Sequence, residues 1–108
     1  MEDLKTAIQG CKPTLVDFFA TWCGHCRAQS PIIDDVKTRV GDKANVFKVD
    51  IEEHKDMANE YNIQSVPTLI LFKDGKALWR ASGVQQADEL IAKINEHTSA
   101  KKCCKKAH

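Results

Sequence analysis

The chain has 108 residues, of which 43% are hydrophobic and 29% are charged, and its formal net charge at pH 7 is +1. This length suits one compact domain with a real hydrophobic core, so cysteines are not needed as structural staples. The balanced charge argues against nucleic acid as a partner, and no apolar run approaches the roughly 20 residues that span a bilayer.

The N-terminal segment, from Met1 to Lys5, lacks the basic and apolar regions of a secretory signal. This predicts a soluble protein of the cytoplasm. The alternative is a periplasmic protein from which a signal peptide has been removed.

Helices and strands alternate along the first part of the chain. Leu4 and Ile8 share one face of the first helix, and an apolar run that contains the single charge of Asp17 follows as a buried strand. A second helix, kinked at Pro31, ends at Gly41. The predicted elements are a helix at 2–10, a strand at 14–20, a helix at 26–40, a strand at 46–50 and a helix at 53–61.

The later part of the chain predicts a hairpin and a closing helix. Asp74 and Gly75 form a turn signal between strands at 68–73 and 77–82, and an amphipathic helix covers 86–98. Together the elements predict an α/β domain, residues 1–98, with helices on both faces of the sheet. Residues 99–108 form a basic, cysteine-containing tail that we expect to be disordered, with a redox or metal-binding appendage or an acylated basic anchor as alternatives.

Cys23 and Cys26, two of five cysteines, stand two residues apart at the start of the second helix. The free backbone N–H groups and the positive dipole end of a helix stabilise a thiolate there. A thiolate is the attacking species in disulfide exchange, so Cys23 is the predicted nucleophile and Cys26 the resolving thiol.

The same spacing also suits half of a zinc site. Zinc normally takes four ligands, and no second pair with suitable spacing occurs in the predicted domain. We therefore favour redox chemistry with no metal and no bound cofactor. Cys11 is interpreted as a structural or half-exposed thiol, with regulation by glutathionylation or dimerisation as the alternative.

Several motifs, in order and spacing, resemble the thioredoxin family over residues 1–98. Three single residues match the family pattern: Lys48 in the second predicted strand, Pro31 in the second predicted helix, and Gly83 after the hairpin. The remaining motifs are Val16-Asp17-Phe18-Phe19-Ala20, Trp22-Cys23-Gly24-His25-Cys26, and Val66-Pro67-Thr68 before Leu69-Ile70-Leu71-Phe72.

The resemblance implies the thioredoxin fold, with a central mixed sheet between helices, and a cis bond before Pro67. It also implies that the segment at Val66 and Pro67 pairs with extended substrate backbone, in a strand-addition mode of recognition. Trp22 and Gly83 would then form a shallow apolar surface around Cys23, although core packing is the alternative for Trp22.

Asp17 lies six residues before Cys23 in an apolar strand, so desolvation is expected to raise its pKa. Its predicted role is to deprotonate Cys26 during resolution, with Lys48 as its partner in a shared site. The alternative is a solvated carboxylate at a strand end.

His25 departs from reductive thioredoxins, which usually have proline at this position, and resembles the centre of protein disulfide isomerases. An imidazole next to Cys23 can stabilise the thiolate and make the disulfide a better oxidant. We expect Gly24 and His25 to tune the redox poise, with a solvated loop residue as the alternative for His25.

The sequence thus predicts a thiol–disulfide oxidoreductase, in the first place a protein-disulfide reductase. The expected partners are disulfide-containing proteins and a thioredoxin reductase, and the expected state is a monomer. A protein disulfide oxidase or isomerase is the alternative that His25 supports, and a non-catalytic binding adaptor is the alternative from another class.

Overall fold

The computed structural model describes residues 2–98, in which four α-helices and four strands occur. The hairpin, the closing helix and the alternation of the earlier elements agree with the sequence pattern. In chain order the elements are α1 Glu2–Gln9, β1 Thr14–Phe19, α2 Gly24–Val40, a 3₁₀ turn Gly41–Lys43, β2 Asn45–Asp50, α3 Lys55–Glu60, β3 Thr68–Lys73, β4 Lys76–Ser82 and α4 Ala87–Thr98.

The strands form one mixed sheet in the order β2-β1-β3-β4. β1 pairs in parallel with β2 and antiparallel with β3, and β3 pairs antiparallel with β4. The central position of β1 explains why its sequence is apolar on both faces. The expected α/β class with a mixed sheet is confirmed.

Helices cover both faces of this sheet. On one face, Leu15 of β1 packs with the buried side chains of α2 and α4. On the other, Val16 and Phe18 pack with residues of α1 and α3. Because successive side chains of a strand point to opposite faces, Asp17 shares the α2 side with Leu15. The sheet thus directs the one carboxyl of β1 toward the helix that carries the cysteine pair.

The second and third helices differ most from the sequence prediction, while the first and last differ by one residue at one end. The helix expected at 26–40 begins at Gly24, with Cys23 as its N-cap residue. The helix expected at 53–61 is shorter, because the backbone N–H groups of Glu53 and His54 both donate to Asp50 O and form a turn first. The predicted tail, 99–108, lies outside the described residues.

Gly41 ends α2, as expected. Its φ is +56° with ψ −124°, and its N–H donates to Lys37 O. Few residues other than glycine adopt this backbone conformation. No helix in residues 2–98 has the length and apolarity to cross a membrane.

Candidate active site

Cys23 and Cys26 lie together at the N-terminus of α2. The backbone N–H of Cys26 donates to Cys23 Sγ at 3.1 Å, so the sulfur takes the place of the usual N-cap oxygen. Both cysteines are free thiols, with only 6% of Cys23 and 4% of Cys26 exposed. The first sulfur therefore lies at the positive end of the helix dipole, where negative charge is stabilised.

The Cys26 thiol is strongly held in its protonated form. Burial raises its pKa to about 12, and a hydrogen bond to the Cys23 side chain adds to the effect. The negative charge of Asp17 raises the pKa of Cys26 further, while a backbone hydrogen bond with Ala20 lowers it. Since Cys26 is neutral at pH 7, it needs a base before it can attack a disulfide.

Asp17 lies in the interior next to this thiol. The residue is 1% exposed, and desolvation raises the pKa of its carboxyl to about 6, against an opposing effect of the Lys48 charge. Among the described residues, Asp17 Oδ1 has no hydrogen-bond partner. A cavity of about 250 Å³ is lined by Asp17, Cys26, Ser30 and Lys48, among others. The carboxyl of Asp17 and the thiol of Cys26 therefore line the same cavity.

Lys48 has different direct partners from the one expected. It is the neighbour of Asp17 across the parallel pair of strands. Its ammonium nevertheless forms an ion pair with Asp34 at 2.8 Å and donates to Ser30 Oγ at 2.7 Å. Because α2 supplies both partners, no ion pair between Lys48 and Asp17 forms within residues 2–98. Lys48 acts on Asp17 through its charge alone.

The residues expected at the substrate surface surround Cys23. The Val66–Pro67 bond is cis, as the resemblance implied. Cys23 Sγ lies 3.7 Å from Val66 O, and the N–H of Gly83 donates to Pro67 O at 2.9 Å. Gly83 has a φ of +87°, which favours glycine at this turn. Two loops from distant parts of the chain thus meet beside Cys23.

Trp22 is 63% exposed, which excludes the core-packing alternative. Its indole Nε1 donates to Glu52 Oε2 at 2.7 Å. This hydrogen bond fixes an apolar ring at the surface beside the cysteine pair. Gly24 and His25 are also exposed, in the first turn of α2.

The sequence interpretation missed three polar residues at this site, Gln29, Ser30 and Glu52. Ser30 and Glu52 hold Lys48 and Trp22, respectively. Gln29 is fully buried in α2. A buried glutamine in a helix carries no local sequence signal, because its partners are far away in the chain. In the part of the chain that the structure describes, no cluster of three or more His, Cys, Asp or Glu could hold a metal ion.

Comparison with known proteins gives a consistent result. The Thioredoxin family model matches residues 2–96. Chloroplastic thioredoxin Y of Oryza sativa subsp. japonica is 47% identical over 83 residues, which are 77% of this chain and 49% of the rice protein. The thioredoxin-like protein slr0233 of Synechocystis is 46% identical over 77% of this chain and 79% of its own length. The chain thus spans about half of the rice protein.

A solved structure resembles this fold closely. The thioredoxin of Malassezia sympodialis superposes with a TM-score of 0.80 at 34% sequence identity, covering 90% of this chain and 84% of its own.

Proposed function

Because the chain belongs to the thioredoxin family, we propose that it is a thiol–disulfide oxidoreductase that reduces protein disulfides through Cys23 and Cys26. The single observation that carries the proposal is the burial of the Asp17 carboxyl at the cavity that also contains the protonated Cys26 thiol. This arrangement supports Asp17 as the base that the proposed resolving step requires.

In the first step, the Cys23 thiolate attacks one sulfur of the substrate disulfide. A mixed disulfide forms, and the other substrate sulfur leaves as a thiolate. The position of Cys23 at the helix N-terminus and the N–H donated by Cys26 support this role, because both favour negative charge on the sulfur.

In the second step, Cys26 loses its proton and attacks Cys23 Sγ. The Cys23–Cys26 disulfide forms, the second substrate thiolate leaves, and two electrons have passed to the substrate. Asp17 is the proposed proton acceptor, because a carboxyl with a pKa of about 6 is largely ionised at pH 7 and still basic enough to accept a proton. The ammonium of Lys48, which is bonded to Ser30 and Asp34, supplies a positive charge that lowers the pKa of Asp17 and so opposes part of the effect of burial.

Protein substrates dock, in this proposal, on the surface formed by Trp22, Val66, Pro67 and Gly83. Extended substrate backbone would pair with the segment at Val66 and Pro67. Main-chain hydrogen bonds carry little sequence information, so this mode predicts many protein substrates. The exposed indole of Trp22 supplies apolar contact beside Cys23.

Reduction requires a source of electrons, which we propose to be a thioredoxin reductase in a reducing compartment, the cytoplasm. The proposed active form is a monomer. His25 supports a second candidate, oxidation or isomerisation of disulfides, because its side chain is exposed one residue before Cys26. Gly24 and His25 are the proposed determinants of the balance between these directions.

The deciding measurement is the reduction potential of the Cys23–Cys26 couple, with Cys103 and Cys104 replaced by serine and the protein equilibrated against glutathione. A value near about −270 mV supports a reductase, and a value near about −180 mV supports oxidation or isomerisation. We expect His25→Pro to make the couple more reducing, since it removes the imidazole beside the sulfur.

The control for activity is Cys23→Ser, which should abolish reduction of an insulin substrate. Full cellular function of the Cys23→Ser, Cys26→Ser protein would instead support a binding adaptor and contradict the proposed enzyme.

A further inference from the structure

Gln29 is a fully buried polar side chain in the helix that carries the cysteine pair. The N–H and the oxygen of its side-chain amide both form hydrogen bonds with one distant residue, Gln85. Its Nε2 donates to Gln85 O at 3.0 Å, and its Oε1 accepts from the backbone N–H of Gln85 at 2.7 Å. The amide thus acts like a short piece of backbone that pairs with residue 85.

Gln85 lies in the loop at residues 83–86, between β4 and α4. The side chain of Gln85 donates from Nε2 to Ser82 O and to Gly83 O, each at 3.2 Å. Gly83 in turn donates its N–H to Pro67 O. The loop is therefore bonded on one side to Gln29 and on the other to the segment beside Cys23.

These contacts form a closed circuit around the nucleophile. From Cys23 the circuit runs along α2 to Gln29, through Gln85 to Gly83, on to Pro67, and back to Cys23 through Val66 O. An apolar side chain at position 29 would pack in the interior but would leave the N–H and C=O of Gln85 without their partner. A buried donor or acceptor without a partner is costly, so the loop would shift.

We propose that Gln29 is a positioning residue that holds the 83–86 loop in the geometry required to dock protein substrates. The inference rests on the proposed role of Gly83 and Pro67 in substrate docking. Within residues 2–98 the Gln29 side chain hydrogen-bonds to Gln85 and to neither sulfur, so its loss should weaken docking of an extended polypeptide and leave disulfide exchange at Cys23 intact. This positioning role would make Gln29 a determinant of selectivity between protein disulfides and small disulfides.

The test compares two substrates in the Gln29→Met protein, because methionine is close to glutamine in length and has no amide. With insulin as substrate, we expect KM to rise about fivefold, the change expected when the displaced loop costs the docked substrate one ordinary hydrogen bond. The rate constant with 5,5′-dithiobis(2-nitrobenzoate), which needs no backbone pairing, should stay within about twofold. The reduction potential should not change. The matched control is Gln9→Met, an exposed glutamine at the end of α1.

An unchanged KM for insulin, or an equal loss with both substrates, would overturn the positioning role. Failure of the wild-type protein to reduce insulin, with normal reaction of the small disulfide, would instead contradict the proposed protein substrates. A second measurement needs no variant. The Gln85 amide of the wild-type protein should exchange with deuterium much more slowly than amides of an exposed loop, and rapid exchange would contradict the inference.

Discussion

Asp17 is a carboxyl group whose ionisation opposes folding. Its pKa is about 6 in the folded protein, against an ordinary value of 3.8, because burial removes the charge from water. Below about pH 3 the carboxyl is protonated in both the folded and unfolded states, and its burial then costs no stability through charge. Between pH 4 and 6 the folded state binds more protons, so the free energy of unfolding falls as the pH rises. Above pH 6 the buried, ionised carboxyl lowers the free energy of unfolding by its full amount, about 3 kcal/mol.

Asp17→Asn should remove this penalty. We expect the free energy of unfolding of the variant, relative to the wild type, to increase by about 3 kcal/mol between pH 3.5 and pH 7.5. Urea unfolding at a series of pH values measures this difference. The control Asp42→Asn makes the same replacement at an exposed carboxyl. A constant difference between Asp17→Asn and the wild type would contradict the raised pKa.

Single residues were predictable from sequence where a local pattern marks them. The spacing of Cys23 and Cys26 predicts a redox pair, and a charge inside an apolar strand marks Asp17. Gln29 was missed because its partner is separated by 56 residues and is backbone rather than a side chain. The direct partners of Lys48 were also missed, since an exposed face of α2 gave no sign that Ser30 and Asp34 reach across to β2.

At the level of elements, the end of α2 depends on the backbone of Gly41. Its φ of +56° is costly for residues with a Cβ atom, although an added Cβ would meet no atom within 4 Å. We therefore expect Gly41→Ala to lower the free energy of unfolding by about 1–3 kcal/mol through backbone strain alone. Thermal and urea unfolding measure the loss.

The matched control for Gly41→Ala is Gly10→Ala, at the end of α1. Its added Cβ would lie 3.4 Å from Ala7 O, an ordinary contact, and its φ is not in the left-handed range. The expected change is within about 0.5 kcal/mol. Equal effects of the two replacements would show that the conformation of Gly41 is not the cause.

The strands and the long helices were predictable because their hydrophobic periodicity is strong. β3 has the bounds that the sequence predicted, and β1, β4 and α4 differ by one residue at one end. The short helix α3 was less predictable, since the turn at Glu53 and His54 depends on hydrogen bonds to Asp50 O that leave no periodic signal.

At the scale of the whole molecule, one sheet joins two hydrophobic clusters. Leu90 of α4 lies in the cluster on one face, and Met57 of α3 lies in the cluster on the other. Both side chains are buried, so Leu90→Ala and Met57→Ala should each cost about 2–5 kcal/mol. Because the sheet lies between the two residues, their effects should add to within about 0.5 kcal/mol in the double variant.

Urea unfolding followed by circular dichroism and by tryptophan fluorescence measures these changes. Coincident transitions are expected if both faces unfold as one unit. Leu78→Ala, at an exposed leucine of β4, is the control and should change stability by less than about 0.5 kcal/mol. Separate transitions for the two probes would contradict a single cooperative domain.

The contact between Cys26 and Cys23 Sγ also bears on oxidative damage. A peroxide that oxidises Cys23 to a sulfenic acid leaves that sulfur beside a second thiol. Condensation with Cys26 expels water and forms a disulfide, before oxidation can advance to the irreversible sulfinic and sulfonic acids. The same disulfide would form in the turnover proposed above. The reductant that regenerates the dithiol in that turnover would therefore also reverse this oxidation of Cys23.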